Sequence, residues 1–123
     1  MIRVLVVEDI EDEALLLYLM IQKAGFVTSF TLNPFEGIHM AQHNQIDVLV
    51  TDIGMPVVDG FEVIKHVRSV NKKIPIVVIS SYVEGYEKMR AFQLGANYFI
   101  EKPFEREDLL RVMKNIKDEL SIK

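Results

Sequence analysis

Apolar positions along the chain fall into two alternating kinds of run. The first kind is a short block of consecutive aliphatic residues bounded by polar ones: Val4-Leu5-Val6-Val7, Val48-Leu49-Val50 and Ile76-Val77-Val78-Ile79. Short β-branched-rich blocks of this sort read as buried strands. The second kind repeats at helical spacing. From Glu11 to Lys23, residues Ala14, Leu15, Leu17, Tyr18 and Ile21 predict a helix that stops at Gly25. A short strand is expected at Val27 to Thr31. Asn33-Pro34-Phe35-Glu36 then reads as a helix start, with Asn33 as the cap and Pro34 in the first helical position. That helix should reach His43 or Asn44.

The second half repeats the alternation. A third helix is expected from near Asp59-Gly60, with Val63, Ile64 and Val67 turned inward and Lys65, His66 and Arg68 outward. Pro75 opens the fourth strand. Glu84 to Leu94 predicts a fourth helix with Gly95 just past its end, and Tyr98 to Glu101 a fifth strand. The last helix should begin after Pro103, with Leu109, Leu110, Met113, Ile116 and Leu120 at helical spacing on one face. Glu105, Glu107 and Asp108 in its first turn favour the helix dipole. Strand-helix repeated five times, with right-handed crossovers, implies an α/β fold. The expected architecture is a doubly wound five-stranded parallel sheet of strand order 2-1-3-4-5, a flavodoxin-like (βα)5 arrangement. Residues 1–123 read as a single domain with no output domain.

The strand ends carry the chemistry. The first strand ends on Glu8-Asp9, the third on Asp52, the fourth on Ser80-Ser81 and the fifth on Glu101-Lys102-Pro103. Parallel strands place all of these on one edge of the sheet, where ligands bind in open α/β folds. Three carboxylates gathered there repel one another unless a cation joins them, and hard oxygen ligands suit Mg²⁺.

This constellation resembles the receiver domain of bacterial two-component response regulators, in particular the chemotaxis receivers. The matching pieces are Glu8-Asp9, the run Asp52-x-x-Met55-Pro56-x-x-Asp59-Gly60, Ser80 and Lys102-Pro103. The resemblance covers the whole chain. It implies a phosphoacceptor role for Asp52, which would take a phosphoryl group from a sensor histidine kinase or phosphotransfer protein. It further implies a metal site, Mg²⁺ or in its place Mn²⁺, formed by Glu8, Asp9, Asp52 and the main-chain carbonyl of Gly54. The family more often has Asp where this chain has Glu8, which acts mostly through water in that scheme. Lys102 would pair with a phosphoryl oxygen, and Ser80 would donate to another. Phe99 stands where the family has its aromatic switch residue, which would alter the surface of the fourth helix, fifth strand and fifth helix for an output domain or target protein. Tyr98 and Arg90 fall on the surface that receivers use to pair, so a phosphorylation-linked dimer is part of the same expectation. The bond between Lys102 and Pro103 is expected to be cis. Gly54 and Tyr82 would flank the path of hydrolytic water, and their identities point to slow loss of phosphate. No enzymatic turnover beyond its own phosphorylation and dephosphorylation is expected.

Composition narrows the setting without changing this picture. Half of the 123 residues are hydrophobic and 26% are charged, an ordinary globular balance. The net charge of -4 argues against a nucleic-acid surface, which is built on Lys and Arg. Cysteine is absent, so thiol chemistry is excluded. No apolar run approaches a membrane span, and Met1-Ile2-Arg3 leads straight into a strand, so a cytoplasmic setting is expected. His39, His43 and His66 read as solvated helix surface.

Two other function classes share parts of the pattern. A Mg²⁺-dependent aspartyl-phosphate phosphatase also uses Asp at a strand end, but such enzymes commonly place a second Asp two residues on, where this chain has Gly54. A flavodoxin-like nucleotide-binding module would want a hydroxyl- or glycine-rich loop after the first strand. Glu8-Asp9-Ile10-Glu11-Asp12 would repel a phosphate there.

Overall fold

The computed structural model describes residues 1–43, 45–55, 59–81 and 85–121. Its strands are β1 (Arg3–Val7), β2 (Val27–Thr31), β3 (Val48–Thr51), β4 (Ile76–Ser80) and β5 (Tyr98–Glu101). The helices are α1 (Glu11–Lys23), α2 (Pro34–Gln42), α3 (Gly60–Val70), α4 (Gly85–Leu94) and α5 (Arg106–Ser121). The strands form one parallel sheet in the order β2-β1-β3-β4-β5, the expected doubly wound order. Pro56, Tyr82, the expected helix start at Glu84 and the alternative helix end at Asn44 lie outside the described residues.

Side-chain alternation along the strands builds a core on each face. Leu5, Val7, Leu49, Ile76 and Val78 point to one side, against Ala41 of α2, Ile64 and Val67 of α3 and Ala91 of α4. Val4, Val6, Val48, Val50, Val77 and Ile79 point to the other, against Leu17 and Ile21 of α1 and Leu109, Met113 and Ile116 of α5. The central strands are buried on both faces, which is why they read as continuous apolar blocks and not as alternating ones.

Local signals account for the helix boundaries. The Asn33 side chain accepts a 3.0 Å hydrogen bond from the Phe35 N–H, capping α2, and Asp59 caps α3 through the Glu62 N–H at 3.0 Å. Gly25 follows α1 at φ 102° and Gly95 follows α4 at φ 119°, a left-handed region that side chains avoid. Two helix faces differ from expectation. Leu15 of α1 is exposed, so the buried stripe narrows to Ala14, Leu17 and Ile21. Arg68 turns in at the end of α3 instead of outward. Its guanidinium donates twice to the Gly95 carbonyl, at 2.9 and 2.8 Å, and once to the Asn97 side-chain oxygen at 2.8 Å. That Asn97 oxygen also accepts from the Ile76 N–H at 2.8 Å, so it ties the start of β4 to the same corner. A cation near unsatisfied helix-end carbonyls satisfies groups that a purely solvated Arg would leave to water.

The sheet edge away from the strand ends is pinned by Arg3 and Asp47. The Asp47 carboxylate accepts from the Arg3 backbone N–H, Nε and Nη2 at 2.8, 3.0 and 2.9 Å. This two-pronged geometry fixes the start of β1 beside the start of β3.

Candidate functional site

Register sets the site. Val7 of β1 lies opposite Thr31 and Thr51, and Ser80 of β4 lies opposite Glu101. The residues that follow β1, β3 and β5 therefore emerge together at the carboxyl edge. Glu8 emerges first, and its backbone N–H still donates to the Thr31 carbonyl at 3.2 Å. Its carboxyl group is buried, with the residue only 1% exposed, and it accepts from the Ile10 N–H at 3.2 Å. Asp52 follows β3 and is buried too. Its Oδ1 accepts from the Gly54 N–H at 2.9 Å, which leaves Oδ2 turned toward Lys102.

Lys102 completes the group from the end of β5. Its backbone N–H donates to the Ser80 carbonyl at 2.7 Å, and its bond to Pro103 is cis, as expected. The ammonium meets Asp52 Oδ2 at 3.1 Å, Glu8 Oε2 at 3.2 Å and Glu13 Oε1 at 2.7 Å. Ser80 is buried at the β4 terminus. Phe99 of β5 is half-buried against the α2–α4 core, its ring 6.5 Å from that of Phe92 on α4.

The structure thus joins Glu8, Asp52 and Lys102 directly, with Ser80 one hydrogen bond away along the backbone. Asp9 is only partly buried and takes no share of the Lys102 contacts. Glu13 was missed by the sequence reading. An acid in the first turn of the helix that leaves the acidic strand end was the signal available, since that turn lies over the same edge.

Electrostatics follow from burial. Loss of water pushes the Glu8 carboxyl up to about 8, and a hydrogen bond to Asp52 and the Asp52 charge add to this, against the opposing pull of Lys102 and the Ile10 N–H. Burial works against the Lys102 ammonium, yet the hydrogen bond to Glu13 and the charges of Asp52 and Glu8 more than reverse it, raising its pKa. A proton on Glu8 and the ammonium together let these acids stand side by side. A hard divalent cation would supply the same charge to the same oxygens, so the donor set fits Mg²⁺ in kind. Among the described residues no group of three or more His, Asp or Glu side chains is preformed to hold a metal. The carboxylates are gathered instead around Lys102.

A family model of the response regulator receiver domain matches residues 4–114. The chain belongs to the response regulator receiver domain family. This receiver superposes on the chemotaxis protein CheY4 of Vibrio cholerae with a TM-score of 0.86 and 30% identity, over 94% of this chain and 98% of that one. The transcriptional regulatory protein CusR of Escherichia coli K12 is 29% identical over 114 residues, 93% of this receiver and 50% of CusR. The chain spans about half the length of the curated relatives it first matches. The receiver domain of the sensor histidine kinase PA1611 from Pseudomonas aeruginosa PAO1 shares the fold, with a TM-score of 0.82 and 22% identity over 92% of this chain and 94% of that one, and that structure holds a magnesium ion in its active-site cleft. The chain is accordingly a receiver domain of two-component response regulators, a signalling module. Nothing in these likenesses favours the phosphatase or the nucleotide-binding reading. Among the described residues no helix is long and apolar enough to cross a membrane.

Proposed function

We propose that this receiver takes a phosphoryl group from the phosphohistidine of a sensor histidine kinase, or of a phosphotransfer protein, onto Asp52. A bond forms from a carboxylate oxygen of Asp52 to phosphorus while the phosphorus–nitrogen bond breaks, and the electron pair leaves on the imidazole nitrogen. The observation that carries this reading is the Lys102 ammonium 3.1 Å from Asp52 Oδ2, at a sheet edge where Asp52 and Glu8 are buried together. Held by Glu8, Asp9, Asp52 and the Gly54 carbonyl, Mg²⁺ or Mn²⁺ would neutralise the charge that gathers as the phosphoryl group arrives.

The chain's own residues then read the new charge, roughly -1.5 to -2 units. Lys102 turns from the carboxylate to a phosphoryl oxygen, and the Ser80 hydroxyl donates to another. Moving a switch from mostly off to mostly on takes about 5 kcal/mol of differential stabilisation. One charge-assisted hydrogen bond contributes about 1.5–3 kcal/mol, so Ser80 and Lys102 must act together. Phe99, already against the core beneath α4, carries the change to the α4–β5–α5 surface. That surface would serve an output domain or target protein in the cytoplasm. It also holds Tyr98, and with Arg90, whose guanidinium lies 4.5 Å from the Phe61 ring centre, it would form a phosphorylation-linked dimer.

The test is labelling by acetyl phosphate, or binding of its mimic beryllofluoride, with Mg²⁺. Wild type should be modified and Asp52→Asn should not. Equal modification of the two, or labelling undiminished by a chelator, would remove Asp52 from the role.

A further inference from the structure

The Lys102 ammonium has three N–H bonds, and each points to a different carboxylate: Glu8, Glu13 and Asp52. The N–H on Asp52 can pass to a phosphoryl oxygen there, but the ammonium follows the phosphoryl group only as far as its other two contacts allow. The three are unequal. Glu8 is locked, since its side chain is 1% exposed and its other oxygen is occupied by the Ile10 N–H. Asp52 is the group being modified. Glu13 makes the shortest contact, 2.7 Å, yet its side chain is 37% exposed. It borders a cleft of about 620 Å³ lined also by Leu16, Met20, Ser81 and Phe104. Its carboxylate can therefore swing into water without stranding a buried charge.

We propose that Glu13 is a positioning residue that holds the Lys102 ammonium toward α1 and competes for it with the phosphoryl group on Asp52. This rests on the phosphoacceptor reading and adds a brake to it. Glu13 keeps the cation occupied before phosphorylation, and its negative charge also stands near the incoming dianion. Removing that charge frees one of the three ammonium N–H bonds for the phosphoryl oxygens, while Glu8 keeps another. The contact is partly solvated, so the effect is modest, about two- to fivefold in affinity for a phosphoryl mimic.

The experiment is a beryllofluoride titration at fixed Mg²⁺, followed by NMR, on wild type, Glu13→Gln, Glu13→Ala and Glu11→Gln. Glu11 shares the first turn of α1, is exposed and makes no contact with Lys102. Both Glu13 variants should bind about two- to fivefold more tightly, with Glu11→Gln unchanged. Before any ligand is added, the Lys102 side-chain nitrogen signal should move in the Glu13 variants while the amide signals of the sheet stay in place, which a general structural effect would not produce. Equal or weaker binding in both Glu13 variants, with wild-type binding intact, overturns the brake and leaves Asp52 as phosphoacceptor. Failure of the wild type itself to bind beryllofluoride overturns the phosphoacceptor reading and the brake with it.

Discussion

Gly60, the first residue of α3, lies so close to Asp52 that a Cβ at this position would overlap the Asp52 carbonyl oxygen and come within 2.5 Å of Ile53 Cα. Both opposing atoms are backbone, so neither can turn aside as a side chain would. The helix start and the candidate phosphoacceptor are thereby locked in one geometry. Gly60→Ala should destabilise the protein by about 3 kcal/mol and displace Asp52. Urea unfolding measures the first effect, and the amide shifts of Asp52, Ile53 and Gly54 the second. A variant of wild-type stability would show that α3 can move away without loss.

Removing the cation at the centre of the site should cost more than its volume. Lys102→Met keeps the length of the side chain but leaves the buried Asp52 carboxylate, beside the protonated Glu8, without its counter-charge. Breaking a buried pair of this kind costs about 3 kcal/mol. The variant should also bind beryllofluoride poorly. Chemical denaturation and beryllofluoride titration of the same preparation check both outcomes.

Glu8 gives a pH dependence with a definite sign. Its carboxyl is raised to about 8 in the folded protein from an ordinary value of 4.5. Between these values the folded state holds a proton that the unfolded state has lost, so stability contributed by Glu8 is fully present below pH 4.5 and falls as pH rises toward 8. The slope can reach about 1.4 kcal/mol per pH unit. Glu8→Gln carries no ionisable group and should lose this slope. Urea midpoints of the two proteins at pH 5 and pH 8, in chelator, give the comparison, and parallel profiles would refute it.

Ser80→Ala should leave phosphorylation possible and weaken the switch. It removes a buried hydroxyl and little volume. Losing one charge-assisted hydrogen bond, about 1.5–3 kcal/mol, would shift the on-to-off ratio by roughly ten- to a hundredfold. The ring signals of Phe92 and Phe99, which lie 6.5 Å apart, report on this packing. A beryllofluoride response identical to that of wild type would exclude Ser80 from the switch.

Gly54→Asn should speed the loss of phosphate from Asp52 by several-fold. A Cβ at this position would sit 3.6 Å from Asp52 Oδ1, ordinary van der Waals contact, so the amide fits beside the modified group and can orient a water. Decay of phospho-Asp52 after donor removal is the measurement. An unchanged or slower decay would show that this position does not govern water. Tyr82, expected to act with it, lies outside the described residues.

How far the residues alone disclosed this arrangement depends on the kind of signal each carries. The apolar blocks of β1, β3 and β4 are doubly buried, so their composition announces them, and the acids and lysine that end the strands follow by register. Asn33, Gly25 and Gly95 mark boundaries because their roles are local in the backbone. Glu13 and Arg68 were not legible in this way. Each is a charged residue on a helix, and its partners are 89 and 27 residues away along the chain. Leu15 satisfies the helical spacing yet faces solvent, because the sheet covers a narrower stripe of α1 than the spacing allows. The shared hydrogen bonding of Glu8 and Asp52 likewise depends on burial that no local pattern encodes.

The Arg68 guanidinium fastens Gly95 and Asn97 to the C-terminal turn of α3, and Asn97 in turn grips the start of β4. The end of α4 is therefore tied to two other elements, α3 and β4. The helix is mounted like a lever with its fulcrum at Gly95. A displacement of α4 that left these bonds intact would be larger toward Gly85 than toward Leu94. In such a displacement the exposed side chains of Tyr86 and Met89, far from the clamp, would travel farther than Phe92 beside it.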